Sequence, residues 1–359
     1  MAAMNVHQIP IKSWLVPLVA LVIGLLLPKS DNWFVGLALA VLLIGSVMVA
    51  VHHAELVAVW LGEPYGTLVL TLAVTIIELS LIVSLMLTGK PNPTLARDTV
   101  HAVVMLVLNG LAGISIVAGT LRHREQEFQT LGAFAFLVVL TPMSVLVLIL
   151  PNYTLTTPGP YYSTVQLVFV GAVCLSLYLV FLFVQTVRHQ SYFVPSNAAE
   201  AEHAAAPSAR IGAISAGLLV LSLIAVILLA KLLAPFIERG ILAVGAPIKL
   251  AGVVVAAIVL LPELFAALSA ARRNQLQTSI NLALGSAVAC IGLTVPAVVA
   301  IAIWLGQPLA LGIDNEGTVL LVLSFLVATL TYGQGRTNLL SGFVHLVLLV
   351  SYIFLMFAP

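Results

Sequence analysis

Thr67-Leu68-Val69-Leu70-Thr71-Leu72-Ala73-Val74-Thr75-Ile76-Ile77-Glu78-Leu79-Ser80-Leu81-Ile82-Val83 places one carboxylate inside an otherwise uncharged, mostly apolar run. A second such run, Ile258-Val259-Leu260-Leu261-Pro262-Glu263-Leu264-Phe265-Ala266-Ala267, does the same in the other half of the chain. A carboxylate near the middle of a bilayer costs roughly 2.5–3.5 kcal/mol on insertion scales, so it persists mainly where it faces a partner, a cavity or an ion. Two such glutamates in corresponding places point to a transporter with one shared ion site.

Working outward from these runs, the chain is 62% hydrophobic and 8% charged over 359 residues, with a mean hydropathy of +1.18. No soluble domain has that composition. The net charge is +1 and the basic residues are scattered, which leaves no surface for nucleic acid. Cys174 and Cys290 lie in apolar segments without a CxxC or CxxH neighbour and read as small buried hydrophobes. Apolar stretches long enough to span a bilayer number eleven: 13–28, 33–51, 65–88, 99–120, 130–150, 161–187, 211–237, 245–270, 277–304, 317–333 and 338–357. The first contains Pro17, but Pro28-Lys29-Ser30-Asp31 offers no small-residue cleavage site, so it reads as a membrane helix rather than a secretory leader.

Residues 188–210, with Arg188, His189, Glu200, Glu202, His203 and Arg210 among alanines and serines, read as a polar linker. The expected organisation is an extra N-terminal helix over 1–32, a first repeat over 33–187, a cytoplasmic linker over 188–210 and a second repeat over 211–359. Five spans on each side of the linker make equivalent helices cross in opposite directions, the arrangement of inverted repeats. The expected fold class is therefore an all-α polytopic membrane protein with about eleven transmembrane helices. Glu78 and Glu263 fall in the second span of each repeat, and Asn109 and Asn281 in the third; both asparagines head an Asn-x-x-x-Gly pattern. Eight basic residues on the N-terminal side (Lys12, Arg122, Arg124, Arg188, Arg210, Arg272, Arg273, Arg336) against six opposite place the N-terminus in the cytoplasm.

Burial moves carboxyl titration toward neutral pH, which lets protons compete with metal ions for the same oxygens. A hard cation such as Ca²⁺ takes about six to eight oxygen ligands, more than two carboxylates supply. Thr71 and Thr75 lie seven and three residues before Glu78, near its helical face. Pro262 cannot donate its backbone bond and frees the carbonyl of Ile258, one turn from Glu263. The ordinary roles are a threonine back-bonded to its own helix and a simple proline kink.

Gly62-Glu63-Pro64-Tyr65-Gly66-Thr67 leading to Glu78, Leu95-Ala96-Arg97-Asp98-Thr99, Leu261-Pro262-Glu263, Gln277-Thr278-Ser279-Ile280-Asn281-Leu282-Ala283-Leu284-Gly285-Ser286 and Gly335-Arg336-Thr337-Asn338-Leu339-Leu340-Ser341-Gly342 with His345 resemble the bacterial ChaA-type calcium/proton (sodium/proton) antiporters. The likeness runs from about His52 to Tyr352. It implies membership of the calcium/cation antiporter superfamily, in which two inverted α-repeats each give one essential acidic residue to a central cation site. Many calcium/proton exchangers read Gly-Asn-x-x-Glu at both repeats, whereas Val74-Thr75-Ile76-Ile77-Glu78 and Val259-Leu260-Leu261-Pro262-Glu263 stand here. Fewer amide ligands imply a looser site that also takes Na⁺ or K⁺.

The resulting expectation is exchange of inorganic cations, Ca²⁺ first, for protons across the inner membrane by alternating access, with no cofactor. Its candidate ligands are Glu78, Glu263, Asn281, Asn109, Thr75, Thr71, Ser286 and the carbonyl of Ile258. His52, His53, Glu63 and His101 are candidates for a proton route, although solvated helix ends are their ordinary reading. His345 reads as packed or hydrogen-bonded on a peripheral helix. Among rivals, a pump lacks a nucleotide loop, and an intramembrane enzyme lacks a His-Glu-x-x-His or nucleophile–base pair. A passive channel with a glutamate-lined pore is the alternative.

Overall fold

A computed structural model describes residues 11–28, 30–62, 65–88, 92–194 and 207–358. Glu63 and the middle of the linker, 195–206, lie outside the described residues. Eleven helical runs occupy the described chain, ten of them long and apolar enough to cross a membrane and one shorter, so the protein is an all-α polytopic membrane protein. They pack as two units, the first drawn from Met1–Asn92 and Glu202–Ile248, the second from Pro93–Ala201 and Lys249–Pro359.

The first unit contains α1 (Ile11–Leu26), α2 (Trp33–Leu61), α3 (Tyr65–Thr88) and, beyond the linker, α7 (Ala209–Ala243). Asn32 caps α2, its side chain accepting from the Phe34 amide at 2.9 Å. The sequence expectation that the second span stops near residue 51 is overturned, because α2 continues to Leu61. Ala54, Leu56, Val57, Ala58, Val59 and Trp60 extend the apolar run past the one exposed acid, Glu55. Gly62 ends the helix with φ +69°, a conformation that a side chain would strain. His52 and His53 therefore lie inside a membrane helix rather than at its end. In this unit α2, α3 and α7 pack mutually, with α1 against α2 and α7.

The second unit contains α4 (Leu95–His123), α5 (Thr130–Tyr153), α6 (Thr164–Arg188), α8 (Leu250–Arg272), α9 (Leu276–Leu305), α10 (Asn315–Tyr332) and α11 (Leu339–Phe357). The helix α4, about 43 Å long at 1.5 Å per residue, is the most buried of the ten spans. Gly252 lets α8 lie directly on it: a Cβ there would stand 2.5 Å from the Asp98 carbonyl carbon. Mid-way, α4 widens into a π-turn over Leu106–Leu111, and α9 does so over Cys290–Thr294. Such turns leave backbone groups open to other partners and often accompany function.

At the linker-side end of this unit, two short strands that the span pattern does not predict, β1 (Glu125–Glu127) and β2 (Arg336–Asn338), pair antiparallel and join α4 to α11. Between them and α8, the buried Gln126 donates to the Ala271 carbonyl at 2.8 Å and to Asn274 Oδ1 at 3.0 Å. The donors of this side chain, which is 1% exposed, are both satisfied there, while its Oε1 is buried without a partner.

Candidate cation and proton site

Within the first unit, Glu78 stands on α3 and is 2% exposed. Thr75 and Thr71 precede it by one and two turns. Thr71 Oγ1 donates to the Thr67 carbonyl and Thr75 Oγ1 to the Thr71 carbonyl, each at 2.8 Å. Both hydroxyl protons therefore go to the helix itself, while the oxygen lone pairs stay available as acceptors. On α2, His53 is fully buried with Nε2 3.2 Å from the Ser13 carbonyl, a geometry that puts its proton on Nε2. Its Nδ1 has no hydrogen-bond partner, and the His52 ring lies 5.6 Å away, centroid to centroid.

The second unit holds Glu263, Asn281, Asn109, Ser286, His101 and the Ile258 carbonyl. Glu263 is partly buried on α8, one residue after Pro262, which the helix accommodates without ending. On α9, Gln277 and Asn281 form a short chain. The Gln129 amide donates to Gln277 Oε1 at 2.6 Å, Gln277 Nε2 to Asn281 Oδ1 at 2.8 Å, and Asn281 Nδ2 to the Phe193 carbonyl at 2.6 Å. Asn281 remains only partly buried and keeps an acceptor lone pair on Oδ1.

Asn109 sits differently. It lies in the π-turn of α4, fully buried, and its amide closes a chain of consistent polarity across α10 and α11. Thr331 Oγ1 donates to His345 Nε2 at 3.0 Å, and His345 Nδ1 faces Asn109 Oδ1 at 3.4 Å. Asn109 Nδ2 then donates to Ser324 Oγ at 2.8 Å, and Ser324 Oγ to the Leu320 carbonyl at 2.7 Å. This order assigns the His345 proton to Nδ1. His345 is 0% exposed and hydrogen-bonded to two neighbouring helices, as expected of a packed or hydrogen-bonded histidine, and the α11 face that bears it closes on the π-turn. The two sequence-equivalent asparagines thus have unequal surroundings. Replacing Asn109 by alanine removes its buried hydrogen bonds to Ser324 and His345, a loss of about 1–3 kcal/mol, whereas Asn281→Ala removes an accessible acceptor. We expect Asn109→Ala to lower the melting temperature, and Asn281→Ala to raise the apparent cation KM more than Asn109→Ala does. Equal or reversed KM effects, measured in vesicles, would refute that ranking.

A third group gathers at the opposite end of α4 from the strand pair. Arg97 pairs with Asp98 at 2.8 Å and donates to the Gly312 carbonyl at 2.7 Å, while Thr94 Oγ1 donates to Asp98 at 2.8 Å. Lys249, at the head of α8, pairs with Asp314 at 2.7 Å, and Asp314 caps α10 by accepting from the Gly317 amide. Partial burial pushes the Asp314 carboxyl up, but the hydrogen bonds from Lys249 and Gly317 outweigh it and hold the group below its ordinary 3.8. Its stabilising effect is therefore complete above about pH 3.8 and is lost as pH falls through the lower folded value. His101 faces these ions across a cavity of about 30 Å³, space for one water, with Nε2 unpartnered and its ring edge-on to Tyr352 at 5.1 Å. An ion pair between Arg97 and Asp98 is the ordinary reading of two opposite charges at the start of a span, and the structure forms that pair. The sequence does not single out Lys249, Asp314 and Gln277, although Asp314-Asn315-Glu316-Gly317 is legible as a helix N-cap.

Of the expected residues that the structure describes, Glu78, Thr71, Thr75, His52 and His53 belong to the first unit and Glu263, Asn281, Asn109, Ser286, Ile258 and His101 to the second. Among the described residues, no three His, Cys, Asp or Glu side chains cluster as a metal site.

The sodium/calcium exchanger protein family profile matches residues 15–187 and 214–358. The chain is 44% identical over 358 residues to the putative ionic transporter y4hA of Sinorhizobium fredii, covering 98% of this chain and 97% of that one. It is 36% identical over 354 residues to the sodium-potassium/proton antiporter ChaA of Escherichia coli, covering 96% of each. Among solved structures, native YfkE superposes with a TM-score of 0.74 at 16% identity, covering 97% of this chain and 100% of that one, a likeness of fold.

Proposed function

The chain belongs to the sodium/calcium exchanger protein family, a family of cation exchangers, and from that premise we propose that it is a cation/proton antiporter in which Glu78 and Glu263 alternately hold cation and protons. The observation that carries this reading is Glu78, a carboxylate 2% exposed on an apolar helix of 24 residues. A group so placed is costly unless it binds something. The relative named a sodium-potassium/proton antiporter supports proton coupling, with Na⁺ or K⁺ as candidate cargo beside Ca²⁺.

In this mechanism protons and cation compete for the same carboxylate oxygens. With both glutamates charged the site takes a cation; when the site opens to the more acidic side, protonation releases it. Asn281 Oδ1, the Thr71 and Thr75 hydroxyls, Ser286 and the Ile258 carbonyl complete a coordination shell that two carboxylates leave short. Asn109 acts from behind, holding the α4 π-turn through Ser324 and His345. His52, His53 and His101 are the proton-route candidates. Access alternates as one helix group moves against the rest, in an inner membrane with the N-terminus cytoplasmic. Neither a cofactor nor an enzymatic step enters the cycle.

The test is reconstitution into proteoliposomes with Ca²⁺, Na⁺ and K⁺ supplied one at a time against an imposed pH gradient. Saturable uptake of at least one cation that depends on the gradient supports the antiporter. Uptake independent of the gradient identifies the passive channel.

A further inference from the structure

Lys231, Pro235 and Arg239 recur every four residues on α7 and so share one face. They line a cavity of about 520 Å³ inside the first unit, walled also by Leu39 of α2, Leu87 of α3 and Phe236, with Asp31 at its rim. That volume is within the range of small-molecule sites. At 1.5 Å per residue, Lys231 lies about 18 Å from the helix end at Ala243 and two turns further into the apolar helix than the Arg239–Asp31 pair. A lysine at that depth is rare without a partner.

The two cations differ in how they are compensated. Arg239 pairs with Asp31 at 2.6 Å and lies over the Phe236 ring at 4.6 Å. Lys231 has no carboxylate within ion-pair distance among the described residues. Two positive charges against one negative leave a single positive charge beside apolar walls. A small hydrated anion would neutralise it but leave those walls wetted; a phosphodiester on a hydrocarbon chain satisfies both.

We propose that this cavity binds one anionic phospholipid, its phosphodiester held by Lys231 with Arg239 at the rim and an acyl chain lying against Leu39, Leu87 and Phe236. The site is separate from the exchange reading and stands without it. Lys231 is exposed on the helix surface, so its stem extends toward the headgroup level while the ammonium meets the phosphate.

The experiment titrates the delipidated full chain with phosphatidylglycerol, with phosphatidylethanolamine of the same acyl chains, and with glycerol phosphate as the bare headgroup. Native mass spectrometry reads each occupancy, so no transport is needed. Phosphatidylglycerol should bind in preference to phosphatidylethanolamine. Lys231→Gln should weaken phosphatidylglycerol about fivefold, the ratio that roughly 1 kcal/mol per basic group gives, and Lys231→Arg should restore it. Unchanged phosphatidylglycerol affinity in Lys231→Gln would mean that the lysine only reaches for the headgroup layer, and would overturn the site. Equal competition by glycerol phosphate would overturn the lipid and leave a simple anion site.

Discussion

Glu78→Gln and Glu263→Gln should each reduce cation/proton exchange by about a hundredfold or more while the protein still inserts and keeps its detergent melting transition. The amide retains the shape of the carboxyl but neither its charge nor its titration, so it removes the competition between proton and cation that drives the cycle. Glu78 is the sharper test because it is the more buried of the two. Substantial proton-coupled flux in either variant would remove that residue from the site. Loss of flux in Glu78→Gln alone would restrict the site to α3.

The second large effect is on pH. If two protons leave before a cation binds, apparent cation affinity should fall by about a hundredfold for each pH unit of acidification through the titration of the glutamates, and by about tenfold if one leaves. Calorimetry or tryptophan fluorescence in detergent between about pH 5.5 and 8.5 gives that slope without vesicles, and the slope counts the coupled protons. In Glu78→Gln or Glu263→Gln, residual binding should show a slope about one unit shallower. A flat profile with intact cation binding would separate the proton site from the cation site.

Most of the span pattern is legible in the sequence because a run of about twenty apolar residues has few alternatives to a membrane helix. Among the described residues, ten of the eleven helices are long and apolar enough to cross a membrane, and α1 is the short one. Helix ends are less legible. The α2 run passes Glu55 to Gly62 because one exposed acid does not break a helix, whereas a glycine at φ +69° ends it. The grouping of α7 with α1, α2 and α3 depends on contacts across more than a hundred residues, and no local periodicity encodes it. The same is true of the Lys249–Asp314 pair, whose members are separated by all of α8 and α9.

The carboxylates themselves are legible because a charge inside an apolar run is conspicuous. Equal roles for Asn109 and Asn281 are suggested by their matching Asn-x-x-x-Gly patterns, yet their neighbours differ: Asn109 meets Ser324 and His345, Asn281 meets Gln277 and the Phe193 carbonyl. A repeat in sequence transmits helix order, not the identity of side chains brought in from other helices. The π-turn around Asn109 is likewise illegible, since Leu106–Leu111 carries no breaker but a single glycine.

The central claim is that one cation crosses in obligatory exchange for protons. Its most direct test records proton and cation flux together in the same proteoliposomes, using a pH-sensitive dye inside the vesicles and a cation-selective readout outside, with the membrane potential clamped. The account predicts a fixed ratio of protons to cations that holds as either gradient is varied, and reversal of both fluxes when the combined driving force changes sign. Cation flux that continues with no proton counterflow, or a ratio that drifts with the gradients, would contradict it.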